Sequence, residues 1–237
     1  MSSDELEERY ERALPVAEFV SYTRTALGGH GFEPGNCLAL VGVCRDEMMF
    51  PAEQALHDVW GSAFDMSSLG GMVFLGRSGL SAAAAHAPGA DGRRRFIHVV
   101  MPHIGLAANG TVGELLRGGQ AELSTACGAL VHLQHELAGG PLNLALDPDD
   151  LEMSLLRSMF ADHLPSNGAV LDLIALTDLA RTIATNEVVR LSRALLASKT
   201  TDVALFSAIL IHGPDGDRIL TKEASLYVGA SLEAVQL

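Results

Sequence analysis

Cys37-Leu-Ala-Leu-Val-Gly-Val-Cys44 is an unbroken apolar run bounded by Pro34-Gly35 on one side and by Arg45-Asp46-Glu47 on the other. A strand with one wet face alternates apolar and polar side chains. A short continuous run bounded by turn residues instead suits a strand buried on both faces, as in a parallel sheet covered by helices.

Working outward, both flanks support that reading. Upstream, Leu6, Tyr10, Leu14, Ala17 and Val20 recur at helical spacing and Gly28-Gly29 follows as a stop, which predicts one helix over 4–27 in an N-terminal arm of residues 1–30. Downstream, Pro51 opens a helix to about Trp60. A second apolar run, Gly71-Met-Val-Phe-Leu-Gly76, reads as a strand, followed by Arg77-Ser-Gly79 and the alanine-rich Leu80 to Ala87. A third, Arg95 to Met101, ends at Pro102-His103. Residues 111–138 read as helical turns broken at Gly118-Gly119, Asp147-Pro-Asp-Asp150 caps a helix to about His163, and Leu171 to Leu196 is helical again. Asp202 to His212, the turn Gly213-Pro-Asp-Gly216 and a partner strand to Val228 make a C-terminal hairpin. Buried short strands alternating with helices predict one α/β domain over 1–237, with a mainly parallel central sheet flanked by helices.

The composition removes other classes. Sixteen Lys and Arg against 29 Asp and Glu leave a net charge of −13, which disfavours nucleic acid as a partner. No apolar run approaches the roughly 20 residues of a membrane span. The acidic start, Met-Ser-Ser-Asp-Glu, differs from a targeting peptide, so a cytoplasmic location is expected, or a soluble organelle compartment if a leader was removed. Three cysteines, Cys37, Cys44 and Cys127, are too few for a disulfide framework and fit a reducing compartment.

In open α/β sheets the ligand site lies beyond the carboxyl ends of the strands, and Cys44, Arg77 and His103 fall at such predicted ends. Cys44 followed by Asp46 could set a thiolate beside an acid–base carboxylate, or Cys44 could be a buried structural cysteine. His103, after Pro102, is a cleft residue or a hydrogen-bonded structural one. Cys127, at a helix start after Ser124-Thr125, gains from the helix dipole as a thiolate. Together the three would make a Cys2His set, the ligand composition of a catalytic zinc with an open fourth position.

The strings Val-Gly-Val-Cys44-Arg-Asp-Glu, Phe64-Asp-Met-Ser-Ser-Leu-Gly-Gly71, Gly76-Arg-Ser-Gly79, Met101-Pro-His-Ile104 and Cys127-Gly-Ala-Leu130 resemble the limiting-CO2-inducible protein B/C family, related in architecture to the β-carbonic anhydrases. The resemblance runs from about Asn36 to Leu130, and more vaguely beyond. It implies that Cys44, His103 and Cys127 bind zinc and that the protein hydrates CO2 reversibly to bicarbonate and a proton through zinc-bound hydroxide. It also implies that Asp46 either takes the fourth zinc position or releases it to water. The β-class arginine partner of that carboxylate would fall at Met48, so Arg45 and Arg77 become the candidates. The 23 residues between His103 and Cys127 also depart from the β class. Phe64, Met66 and Leu69 could line an apolar slot for CO2 or be ordinary core. A homodimer is expected. An alternative is a catalytically silent member that binds zinc structurally, or binds bicarbonate or a partner protein.

Other features are weaker. His132 and His135 beside Glu136 could form a metal face or a solvated helix surface, and Arg93-Arg-Arg95 reads as a solvated turn. His30, His57, His98, His163 and His212 give no constellation. There is no phosphate-binding glycine loop, no Gly-x-Ser-x-Gly elbow and no zinc-deaminase motif.

Overall fold

The computed structural model describes residues 3–61, 63–89, 91–165, 170–228 and 233–237. The run that opened the sequence reading becomes β2 (Leu38–Val43), every residue of it buried. It pairs in parallel with β3 (Ala63–Asp65) on one side and β4 (Arg94–Met101) on the other. β4 is in turn parallel to β8 (Thr201–Gly213), which folds back on β9 (Gly216–Val228) as an antiparallel hairpin. With β1 (Leu14–Pro15) and β10 (Glu233–Gln236) on the outer side of β9, the sheet runs β1-β9-β8-β4-β2-β3. The predicted α/β architecture, a mainly parallel central sheet flanked by helices with a C-terminal hairpin, is therefore the fold, the antiparallel pairs of that sheet being those made by β9.

Strand alternation divides the core into two clusters, one on each face. Ala39, Val41, Val43, Ile97, Val99 and Met101 point to one face, under α2 (Val16–Gly28), α3 (Phe50–Trp60) and the first half of α7 (Leu173–Leu195). Leu38, Leu40, Phe96 and Val100 point to the other, under α4 (Gly76–Ala85) and the second half of α7.

Four readings are corrected. The N-terminal helix is two: α1 (Ser3–Arg12) and α2 flank β1, which pairs with β9. Pro15 lacks an amide hydrogen and pushes Leu14 out of the helical region, so the helical periodicity continues across a break in the backbone. Gly71–Gly76 forms no strand. Gly70 and Gly71 take positive φ (68° and 70°), where an L side chain is strained, and they turn the chain inward so that Met72 and Val73 are buried without a ladder. The second parallel strand is β3, which starts eight residues upstream. Between 111 and 127 there is no helix; a small ribbon, β6 (Glu114–Leu115) with β7 (Ser124–Thr125), precedes α5 (Gly128–Gly139). The Arg93–Arg95 segment is not simply a solvated turn either. Arg95 is buried and pairs with Asp91, and Arg93 reaches Asp202.

Candidate metal centre

β2 ends at Val43, level with Met101 of β4. The next residues of the two neighbouring strands, Cys44 and Pro102-His103, thus meet at one carboxyl edge of the sheet. Pro102 interrupts the ladder because it has no N–H to give. The chain nevertheless resumes in the same register as β5 (His103–Gly105), still parallel to β8 with His103 opposite Leu210. His103 keeps the parity of Ile97, Val99 and Met101 and faces the same side. Its close seat depends on Gly71, where an added Cβ would stand 2.8 Å from Pro102 Cα.

Cys127 arrives from the other direction, preceding α5. It has φ 63° and ψ 67°, the sole positive φ outside glycine among the described residues. A left-handed Cys costs on the order of 1–2 kcal/mol, so the surrounding structure holds it there. The ligand atoms of Cys44, His103 and Cys127 all lie within 4.8 Å of one another, and all three residues are buried.

The donor set fits a metal ion. His103 Nε2 is buried without a hydrogen-bond partner, an expensive orphan unless a ligand takes its lone pair. The two thiols answer to each other. The hydrogen bond from Cys127, and next to it His103, holds the Cys44 pKa well below that of an ordinary thiol against the penalty of burial, and the same bond with burial drives Cys127 well above it. Without a cation the pair retains one proton; a divalent ion would allow both to ionise. Two thiolates and one imidazole suit zinc. Cys37, by contrast, is a lone buried thiol pushed up to about 11 by desolvation.

Asp46 follows Cys44 and caps the single turn Glu47–Met49, accepting from Met48 N–H at 3.2 Å. Its Oδ2 lies 3.9 Å from His103 Nε2, on the side the metal would occupy. The arginine that grips it is Arg117. Its two terminal nitrogens donate to Oδ1 and Oδ2 of Asp46, each at 3.0 Å, while Nε donates to Ser124 Oγ at 3.1 Å and a terminal nitrogen to the Thr125 carbonyl at 2.7 Å. Arg117 also bonds Glu47. Burial raises the Asp46 pKa, but the Arg117 hydrogen bonds, His103 and the Met48 amide outweigh it and bring it down to about 2.

The two candidate arginines lie elsewhere. Arg45 points away from Asp46 and pairs with Glu152 at 2.7 Å, whose second oxygen accepts from Leu69 N–H at 2.9 Å; it ties α6 (Leu151–Ala161) to the glycine loop. Arg77 is exposed in the first turn of α4, because the strand it was expected to end does not form. Arg117 had a signal that went unread: it is the one Lys or Arg between His103 and Cys127, in a segment that must leave and re-enter the centre. Of the three expected pocket residues, Leu69 packs on the core that contains Cys44 and Cys127. Phe64 and Met66 pack on the opposite face, because Phe64 pairs with Leu40 and shares its parity.

A second missed residue is His212. Its Nε2 is 2.9 Å from His103 Nδ1, and its Nδ1 is 2.8 Å from Asp217 Oδ1 across the hairpin; the two rings meet edge to face. Both histidines are fully buried. His132 lies 3.3 Å from Glu136 on an exposed face of α5, with His135 also exposed.

A mixed α/β sheet with a parallel centre, carrying at its strand ends a buried Cys2His cluster and a carboxylate–arginine pair, defines an α/β domain with a candidate metal centre. The chain belongs to the family described as limiting CO2-inducible proteins B/C, β-carbonic anhydrases, whose model matches residues 13–231. Among solved structures it is similar to PtLCIB4, a homolog of the limiting CO2-inducible protein LCIB, with 24% identity, 98% of this chain and 97% of that chain covered and a TM-score of 0.84. It is also similar to LCIB itself, with 22% identity, 98% and 97% covered and a TM-score of 0.78. No curated protein matched in sequence. Among the described residues no helix is long and apolar enough to cross a membrane.

Proposed function

We propose that this protein is a zinc-dependent carbonic anhydrase that interconverts CO2 and bicarbonate. The observation that carries the reading is the buried Cys44–His103–Cys127 cluster with the Arg117-held carboxylate of Asp46 beside it, in a chain of this family. Zinc bound there would supply Lewis-acid activation of water near neutral pH.

The chain's own groups do the rest. Cys44 and Cys127, as thiolates, balance the charge of a divalent ion in a buried setting. Asp46, with its pKa at about 2, is an ionised acceptor throughout the working pH range and has no proton to offer. Fixed by two hydrogen bonds from Arg117, it accepts a hydrogen bond from whatever protic ligand stands on the open side of the centre and orients its lone pair. Because Arg117 and Met48 occupy it, swinging Asp46 onto the metal would break two to three bonds. Those bonds would hold Asp46 off a metal bound by Cys44, His103 and Cys127 and leave the open side of the centre to water. The chain's −13 charge leaves neutral CO2 unaffected and repels bicarbonate at long range, which favours product departure in the hydration direction.

We carry a homodimer as part of this reading. β3 ends the β1-to-β3 strand order, and Phe50 beside it is 64% exposed, which supports a second copy at that edge. Light scattering should give twice 25.0 kDa.

The test is metal analysis with stopped-flow CO2 hydration on the wild type, Cys44→Ser and Asp46→Ala. About one zinc per chain, with fast hydration lost in both variants, supports the enzyme. Zinc with hydration at the uncatalysed rate in the wild type supports instead a silent zinc-binding member.

A further inference from the structure

We propose that His212 and Asp217 are positioning residues for the metal centre: Asp217 sets the proton on His212, and His212 thereby sets which nitrogen of His103 is free for the metal. The inference rests on the zinc reading above and goes beyond it, to two residues outside the ligand set.

The argument is one of donors and acceptors. A ring nitrogen that binds metal must present a lone pair. The free, buried nitrogen of His103 is Nε2, on the side of Cys44, Cys127 and Asp46. His103 must then carry its proton on Nδ1 and donate it to the atom 2.9 Å away, His212 Nε2. His212 can accept there only as a neutral ring with its own proton on Nδ1. That proton points at Asp217 Oδ1, 2.8 Å away, and a carboxylate can only accept. The three groups thus admit one direction of hydrogen bonding, from His103 through His212 to Asp217. If the anchor at 217 were lost, His212 could hold its proton on Nε2. His103 Nδ1 would then have to accept, and its proton would sit on Nε2, in the place of the metal.

The geometry also explains a burial that is otherwise costly. His212 is fully buried within β8, a strand otherwise almost wholly apolar around it, and Gly213 and Gly216 make the tight reversal that returns Asp217 opposite His212 in the β8–β9 register. An apolar residue at 212 would suit the core; the imidazole serves the ligand.

The experiment compares zinc affinity, by competition with a chromophoric chelator, in the wild type, His212→Gln, His212→Leu, Asp217→Asn and Asp217→Ala, with thermal unfolding of each as a control for folding. Gln keeps an acceptor near the ring Nε2 position; Leu has similar bulk and no acceptor. His212→Leu should bind zinc about 10–100-fold more weakly than wild type, with His212→Gln close to wild type; Asp217→Ala should fall between them and Asp217→Asn near wild type. In the zinc-loaded wild type, nitrogen–proton correlation of the imidazoles should place the His212 proton on Nδ1. Equal zinc affinity in His212→Leu and His212→Gln, or a His212 proton on Nε2, overturns the proposal. The NMR result stands even if His212→Leu fails to fold. A wild type that takes up no zinc overturns the metal reading and this inference with it, whereas zinc uptake that is indifferent to residue 212 overturns this inference alone.

Discussion

Replacing Arg117 is the sharpest perturbation the structure offers. Its side chain is 18% exposed and that of Asp46 10%, so the pair is only weakly screened. The Asp46 pKa moves from its ordinary 3.8 to about 2 although burial alone would raise it, so the attraction to its partners exceeds the net shift. At 1.36 kcal/mol per unit, the net shift corresponds to about 2 kcal/mol of folding stability. The folded pKa is depressed, so this contribution is fully present above the unfolded carboxyl range, near pH 4, and fades as pH falls towards 2. A double-mutant cycle on Arg117→Met and Asp46→Asn, by urea unfolding of metal-free protein, should return a coupling of about 2 kcal/mol at pH 7 and the same at pH 5. Arg117→Met alone should lower the melting temperature by about 4–8 °C. In the zinc-loaded protein Arg117→Met should cut kcat/KM for CO2 hydration on the order of 100-fold at unchanged zinc content, through loss of orientation at Asp46. Arg45→Met and Arg77→Met should leave the rate near wild type. A coupling below about 0.5 kcal/mol, or a rate that falls for Arg45 or Arg77 and not for Arg117, would refute the assignment of the pair.

Three further outcomes follow from other parts of the molecule. His98 is fully buried against Ser192, and desolvation lowers its pKa to about 3. Its folded pKa lies below the unfolded one, so stability is lost as pH falls below about 6.5: the unfolding free energy should drop by about 2 kcal/mol more between pH 7 and 5 in wild type than in His98→Leu, by urea titration at each pH. Gly71→Ala places a Cβ 2.8 Å from Pro102 Cα at φ 70°, so it should destabilise by about 2–4 kcal/mol and weaken zinc binding, because Pro102 carries His103. Cys37→Ala should retain full zinc content while Cys127→Ser loses it, as read by atomic absorption.

The parts of this fold that can be read from the chain are those whose signal is local. β2 is an apolar run with turn residues at both ends, and Cys44, His103 and Cys127 each stand where one kind of periodicity gives way to another. What was misread depended on a single backbone atom or a single residue of parity. Pro15 has no N–H, and so splits an otherwise helical pattern. Phe64 pairs with Leu40, and that register carries it and Met66 to the face away from the Cys44–His103–Cys127 cluster. Arg117 was findable by elimination, as the one Lys or Arg between His103 and Cys127. His212 was not, because nothing near it in sequence marks it. It meets His103 only because β5 resumes β4's register against β8 after Pro102.

The left-handed backbone of Cys127 bears on how such a centre can be lost. Glycine or asparagine would sit at φ 63° with less strain than cysteine. A glycine there would relax the backbone while removing a thiol from the proposed metal centre, so part of the cost of emptying that buried site would be returned as relieved strain. If Cys127 holds metal as proposed, backbone ease and the need for a thiol pull in opposite directions at this one position.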